Sequence, residues 1–306
     1  WRTLTSCALS GILTNGGTIL GSSNRDNPFM WSPTSHMPGG EPPTDHSDVV
    51  VEVMAELKLE GLIVIGGDGS MTMANRLMDE KGLKCIGIPK TIDNDLSATD
   101  VTFGFDTAVQ IATECIDRIH STAMSHHRAM VIELMGRYAG WLTLYAGVAS
   151  GSDVILIPEI PFNMESIAET ITRRSQVGKR FSIIAVAEGA KAEGGSVTVN
   201  KVISSSPDPI RLGGIANLLA EQIEAATGVE SRATVLGHLQ RGGTPSAQDR
   251  LLSTGFGHTA ALLAHNSEWG KMASYRCGEF ISVPLKDCIA KLRTVPEDHP
   301  YIAGAR

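Results

Sequence analysis

Short, uninterrupted apolar runs that alternate with amphipathic helical stretches constrain this chain more than any other feature. The runs Leu62-Ile63-Val64-Ile65, Val154-Ile155-Leu156-Ile157 and Ile183-Ile184-Ala185-Val186 carry no polar residue at alternate positions. That pattern suits strands covered on both faces in a parallel sheet. Between them, Val109, Ala112, Ile116 and Ile119 recur at helical spacing, as do Ile215, Leu219 and Ile223. Strand and helix in alternation predict an open α/β fold. In such folds ligands bind at the carboxyl ends of the strands, so the loops that leave strands are where chemistry is expected. Residues 27–48 hold five prolines and no sustained period, and are expected to form a surface loop.

Composition narrows the class. The chain has 306 residues, enough for one large or two medium domains, and a net charge of −7. A nucleic-acid or anionic-membrane binder carries a basic surplus, so neither partner is expected. No stretch approaches the roughly 20 apolar residues of a membrane span. Five scattered cysteines without paired spacing read as reduced cytoplasmic thiols. The chain opens on Trp1 without an initiator methionine, which we read as an interior start.

Two loops carry chemistry. Ile63-Val64-Ile65-Gly66-Gly67-Asp68-Gly69-Ser70 is a strand that enters a glycine turn, followed by a helical stretch from Met71 to Met78. Glycines let backbone N–H groups approach a polyphosphate, and the helix N-terminus favours negative charge. Asp68 would repel phosphate unless a divalent cation lay between them, so its expected role is magnesium ligand. The plainer reading is a tight turn with a capping aspartate. Lipid and dinucleotide kinases also use a GGDG turn, so this motif points to a kinase without naming the substrate.

The next strand, Cys85-Ile86-Gly87-Ile88-Pro89, leads into Lys90-Thr91-Ile92-Asp93-Asn94-Asp95. In an extended loop, aspartates two residues apart point the same way. One can accept the proton of an attacking hydroxyl while the other orients that hydroxyl or the metal. Lys90 supplies charge for phosphates, and the Thr91 hydroxyl can donate to the phosphoryl group. A solvated Asx-rich turn is the bland alternative, disfavoured by the phosphate-binding turn one βα unit away.

With these motifs the sequence resembles the phosphofructokinase family. Pro89-Lys90-Thr91-Ile92-Asp93-Asn94-Asp95-Leu96 is specific to it. Thr102-Phe103-Gly104-Phe105-Asp106-Thr107-Ala108, Met135-Gly136-Arg137-Tyr138-Ala139-Gly140 and Leu236-Gly237-His238-Leu239-Gln240-Arg241-Gly242-Gly243 follow in the family's order. The resemblance implies two Rossmann-like αβα domains with mainly parallel sheets and the active site between them. Residues 1–104 with about 240–290 would bind the phosphoryl donor, and about 105–239 with 291–306 the sugar phosphate. It implies that Asp93 is the base on the sugar 1-hydroxyl, with Asp95 beside it, Asp68 on magnesium and Thr91 at the transferred group. Arg137 would stabilise charge on the phosphoryl group in transit. Met135, Gly136 and Glu188 resemble the family's sugar contacts. Arg128, Arg232, His238 and Arg241 match its 6-phosphate pocket, with Arg128 and Arg232 supplied by a neighbouring subunit, which implies a homotetramer. Donor binding falls to Gly67, Gly69, Ser70 and Arg25.

Departures bear on the donor. Gly69 matches members that use ATP, where pyrophosphate users carry aspartate. Lys90 matches pyrophosphate users, where ATP users carry glycine. We give Gly69 the greater weight, because an added side chain can exclude the α-phosphate of ADP and a lysine need not. The family's first strand and first glycine loop are not in this sequence, and His120 stands where allosteric bacterial members have an arginine. The expected activity is 6-phosphofructokinase with ATP; the alternatives are a pyrophosphate-dependent enzyme and an inert sugar-phosphate-binding paralogue. The last of these should have lost Asp93, Asp95 or Arg137, and all three remain.

Overall fold

The computed structural model describes the chain apart from residues 24–25, 35–36, 38, 203–209 and 306. Arg25 therefore lies outside the described residues. The elements in chain order are α1 (Ser6–Leu9), α2 (Ser47–Glu56), β1 (Leu62–Gly66), α3 (Asp68–Lys81), β2 (Cys85–Thr91), β3 (Phe103–Gly104) and α4 (Phe105–His126). They continue with β4 (Ala129–Leu134), α5 (Trp141–Ala149), β5 (Val154–Leu156), α6 (Met164–Gln176), β6 (Ser182–Ala187), β7 (Val199–Val202), β8 (Ile210–Leu212) and α7 (Ile215–Thr227). The chain closes with β9 (Ser231–Val235), α8 (Ala247–His265), β10 (Lys271–Arg276), β11 (Glu279–Pro284), α9 (Leu285–Cys288) and α10 (Pro300–Ala305).

Two sheets organise these elements. One has the order β1-β2-β10-β11, with β3 paired to the end of β2. Its pairs are parallel except for the β10–β11 hairpin. The other, β5-β6-β4-β9, is parallel throughout. A two-stranded β7–β8 hairpin stands apart. Within β4, Ala129 and Val131 face a cluster with Ile215, Leu219 and Ile223 of α7. Met130, Ile132 and Leu134 face Ala112 and Ile116 of α4. Each fully buried isoleucine contributes roughly 1.5–3 kcal/mol. Burial on both faces explains the unbroken apolar run of β6.

The run at β1 behaves differently. It is an edge strand, and Ile63 and Ile65 are 44% and 50% exposed. The expectation that both faces are covered fails here, because no described element packs on the outer face. The described residues of the expected loop 27–48 form no strand or helix before Ser47 apart from an isolated bridge between Trp31 and Thr44, and α2 starts inside that loop at Ser47. The helix after the glycine turn is longer than its apolar pattern, since Asp68 itself begins it.

Candidate active site

The carboxyl ends of the two sheets meet, and most of the candidate side chains gather there. Strand β1 ends at Gly66, and α3 begins two residues later with Asp68 in its first turn. Gly67 passes close to Thr91: a Cβ on it would lie 3.3 Å from the Thr91 Cβ. A Cβ on Gly69 would meet nothing within 4 Å, so the space beyond this turn is open. The Ser70 side chain lies back over Gly66, where a Cβ would come within 2.4 Å of the Ser70 Cβ.

The aspartate loop is not extended. Asn94 has φ 54, the left-handed region that asparagine tolerates better than most residues. Its side-chain oxygen accepts the Thr102 N–H at 3.0 Å. The Thr91 hydroxyl oxygen accepts the Asp93 N–H at 3.1 Å, so its proton remains available to donate. The turn nevertheless keeps Asp93 and Asp95 in electrostatic contact, and an oxygen of each is buried without a hydrogen-bond partner.

Across the cleft, Gly136 with φ 134 and Arg137 with φ 49 form a turn after β4. Glycine is required at 136, where a Cβ would lie 2.7 Å from the Ala139 carbonyl oxygen. It is equally required at Gly189, where a Cβ would stand 1.9 Å from the Arg137 carbonyl oxygen. That close approach lets Glu188, just past β6, accept the Arg137 N–H at 3.1 Å. Met135 N–H donates to Gln240 at 3.3 Å, which ties this turn to the 3-10 turn Gly237–Arg241 carrying exposed His238 and Arg241.

Charge balance in the cleft follows. Burial raises the Asp93 pKa, while Arg137, Arg241 and Lys90 pull it down. Asp95 is pushed to about 7 by burial and by Asp93. Glu188 is likewise raised to about 7 by burial, opposed by the Arg137 N–H and assisted by Asp93 and Glu133. Asp68 is raised by burial, with Arg137 opposing. Lys90 is lowered by burial and by Arg241 beside it. Asp68, Lys90, Thr91, Asp93 and Asp95 from one sheet thus meet Arg137, Glu188 and Arg241 from the other side.

Arg128 and Arg232 are not among them. They sit at the amino ends of β4 and β9, at the opposite pole. Arg128 pairs with Glu230 at 2.9 Å, and Arg232 with Glu230 and Glu224. A groove of about 560 Å³ there is lined by Glu221, Glu224 and Arg232.

Two residues beside the site escaped sequence reasoning. Gln240 is 1% exposed and bridges two site turns. Glu133 is 3% exposed, and its carboxylate caps α7 by accepting the Gly214 and Ala216 N–H groups at 3.0 Å. A charged residue inside the apolar run Ala129-Met130-Val131-Ile132-Glu133-Leu134 was the available signal for it.

Comparison with known proteins agrees with this geometry. The Phosphofructokinase family model matches residues 1–264. The chain is 48% identical over 300 residues to ATP-dependent 6-phosphofructokinase 2 of Clostridium perfringens, covering 98% of this chain and 81% of that protein. It is 48% identical over 288 residues to the pyrophosphate–fructose 6-phosphate 1-phosphotransferase of Streptomyces coelicolor, covering 94% and 80%. It superposes with a TM-score of 0.75 on the crystal structure of Pichia pastoris phosphofructokinase in the T-state, at 29% identity. That match covers 94% of this chain but spans only 31% of the yeast chain. Two α/β sheets, a cleft where aspartates face arginines, and sequence identity across nearly the whole chain agree: this chain belongs to the phosphofructokinase family.

Proposed function

We propose that the chain is a 6-phosphofructokinase, transferring the terminal phosphoryl group of ATP to the 1-hydroxyl of fructose 6-phosphate to give fructose 1,6-bisphosphate. The observation that carries this is Asp93, poorly solvated yet surrounded by Arg137, Arg241 and Lys90. Desolvation makes its carboxylate a stronger base, while three cations keep it ionised and ready to take the hydroxyl proton. Asp95, titrating at about 7, shares the loop and orients the hydroxyl. Arg137 and Lys90 face the charge that moves from donor to acceptor. Glu188 and the Met135-Gly136 turn hold the sugar, and His238 and Arg241 face its 6-phosphate. Gly67, Gly69 and the Ser70 backbone cradle the donor phosphates at the start of α3.

Magnesium fits this donor set. Among the described residues no group of three or more His, Cys, Asp or Glu side chains forms a cage, and magnesium bound beside phosphates needs only one or two carboxylates. Asp68, at the phosphate turn, would hold it, with the unpartnered oxygens of Asp93 and Asp95 nearby. When bound it neutralises the donor phosphates.

Open space beyond Gly69 supports ATP as donor. Lys90, next to Asp93, favours pyrophosphate as the second reading. We assign residues 1–104 with about 240–290 to the donor and the rest to the sugar phosphate, in line with the two sheets. The position of Arg128 and Arg232, far from Asp93 in their own chain, supports an oligomer, a homotetramer, in which they complete a neighbour's 6-phosphate pocket. No described helix is long and apolar enough to cross a membrane, and five free cysteines suit the reducing cytoplasm, where we place the enzyme. The test is an assay of the full-length protein with fructose 6-phosphate and magnesium, comparing ATP with pyrophosphate. Bisphosphate from ATP is expected. Product from pyrophosphate alone overturns the donor, and no product from either overturns the function.

A further inference from the structure

Residues 289–299 belong to no helix or strand, yet they run between the two catalytic loops. The path starts at the aspartate loop. Ser97 donates through N to the Cys288 carbonyl at 3.2 Å and through Oγ to the Lys291 carbonyl at 2.7 Å. Arg293 N–H then donates to the Asp95 carbonyl at 2.8 Å, and its Nη1 donates to the Asn94 carbonyl at 2.9 Å. From there the path crosses to the arginine turn. The indole Nε1 of Trp141, four residues after Arg137, donates to the Arg293 carbonyl at 2.9 Å. The Arg293 guanidinium stacks 4.1 Å above the centroid of the same indole. Val295 N–H donates at 2.8 Å to Glu159, whose carboxylate also accepts the Gly140 N–H at 2.9 Å.

Arg293 thus holds the carbonyl of the residue between Asp93 and Asp95, and that residue has the left-handed φ of 54. Its side chain is held separately by Thr102, so Asn94 is fixed at both ends. A planar guanidinium can stack on the indole and donate in its own plane at once, which an ammonium cannot. We propose that Arg293 is a positioning residue for phosphoryl transfer, part of a strap over 293–295 that keeps Asp93 in register with Arg137 across the cleft. It touches neither reactant. The strap lies outside the residues matched by the family model, 1–264. The inference rests on the reading that Asp93 and Arg137 carry the chemistry.

The test uses the full-length protein and compares Arg293→Met, Arg293→Lys and the parent. Misplacing a catalytic group by a fraction of an ångström is expected to lower kcat by about 10- to 100-fold in Arg293→Met, with KM for either substrate changed less than about 3-fold. Lysine, which can reach the Asn94 carbonyl without stacking, is expected to recover part of the lost kcat. A kcat within about 2-fold of the parent in Arg293→Met overturns the strap. So does a loss that lysine does not relieve and that tracks the fraction of folded protein. Should Arg293→Met fail to fold, Trp141→Phe removes the indole donor to the Arg293 carbonyl and trims the ring under the guanidinium; in protein that folds like the parent, lowered kcat with KM held supports the strap, and unchanged kcat overturns it. If the parent itself forms no bisphosphate, the site reading falls and the strap with it. If the parent is active and Asp93→Ser is not, a parental Arg293→Met removes the strap alone.

Discussion

The four-stranded sheet carries a glutamate–arginine set at each end, and the two ends are built in opposite ways. At the carboxyl end, half-buried Glu188 accepts the backbone N–H of Arg137, and desolvation raises its pKa to about 7. At the amino end, Glu230 lies in solvent between Arg128 and Arg232, and hydrogen bonding to Arg128 lowers its pKa. The residue types match, but desolvation dominates at one end and pairing at the other. The contrast teaches how the fold treats charge at its two ends: in the cleft Asp93 and Asp95 each keep a buried carboxylate oxygen without a hydrogen-bond partner, while at the exposed pole Glu230 is held by ion pairs of small worth.

The sharpest break in that contrast is Asp93→Ser. Removing the base should lower turnover about a thousandfold or more, at the upper reach of general base catalysis, with sugar binding nearly intact. Steady-state kinetics beside calorimetric titration with fructose 6-phosphate checks both halves. Turnover near that of the parent would show that another group takes the proton.

How much of this was legible beforehand depends on distance along the chain. The Gly66–Ser70 turn and the Lys90–Asp95 loop are local, so an apolar strand followed by glycines and aspartates announces them. A parallel strand was legible in β6 because both faces are buried, and the reading misled in β1 because edge position is a property of the sheet. The Asp93-Asn94-Asp95 triplet looked extended, since nothing in it shows that Thr102 and Arg293 fix Asn94 in the left-handed region. Arg293 meets Asn94 across 199 positions, and a lone arginine in a polar segment carries no pattern. Gln240 and Glu159 are hidden for the same reason: their partners are backbone N–H and carbonyl groups that any residue could supply.

A second prediction asks whether the two poles work together. If Arg232 completes a neighbour's site, Arg232→Ala should weaken sugar binding although the residue is remote from its own Asp93. Co-expression of Arg232→Ala with Asp93→Ser chains should then restore turnover well above either variant alone. Random assembly leaves about a quarter of the sites with both residues intact. Activity of the mixture no higher than the mean of the two homogeneous variants would place each site within one chain.

The smallest effect separates the two glutamates by the sign of their pH dependence. Glu188 has a folded pKa of about 7, above its ordinary value of 4.5. The native state therefore binds its proton more tightly than the unfolded chain does. Stability is fullest below 4.5 and declines as pH rises through about 7. Glu188→Gln abolishes that decline, so its melting temperature relative to the parent should be several degrees more favourable at pH 8 than at pH 5. The same variant should lose affinity for the sugar, a trade expected of a destabilised functional group. Glu230, with its pKa lowered, contributes stability present above 4.5 and lost as pH falls through the folded value. Glu230→Gln should therefore cost a little at pH 8 and nothing in strong acid, a shift of about one degree that added salt erases. Thermal melts of both variants across pH measure the two slopes. Parallel slopes would mean that Glu188 is as well solvated as Glu230, and that the cleft does not strain its carboxylates.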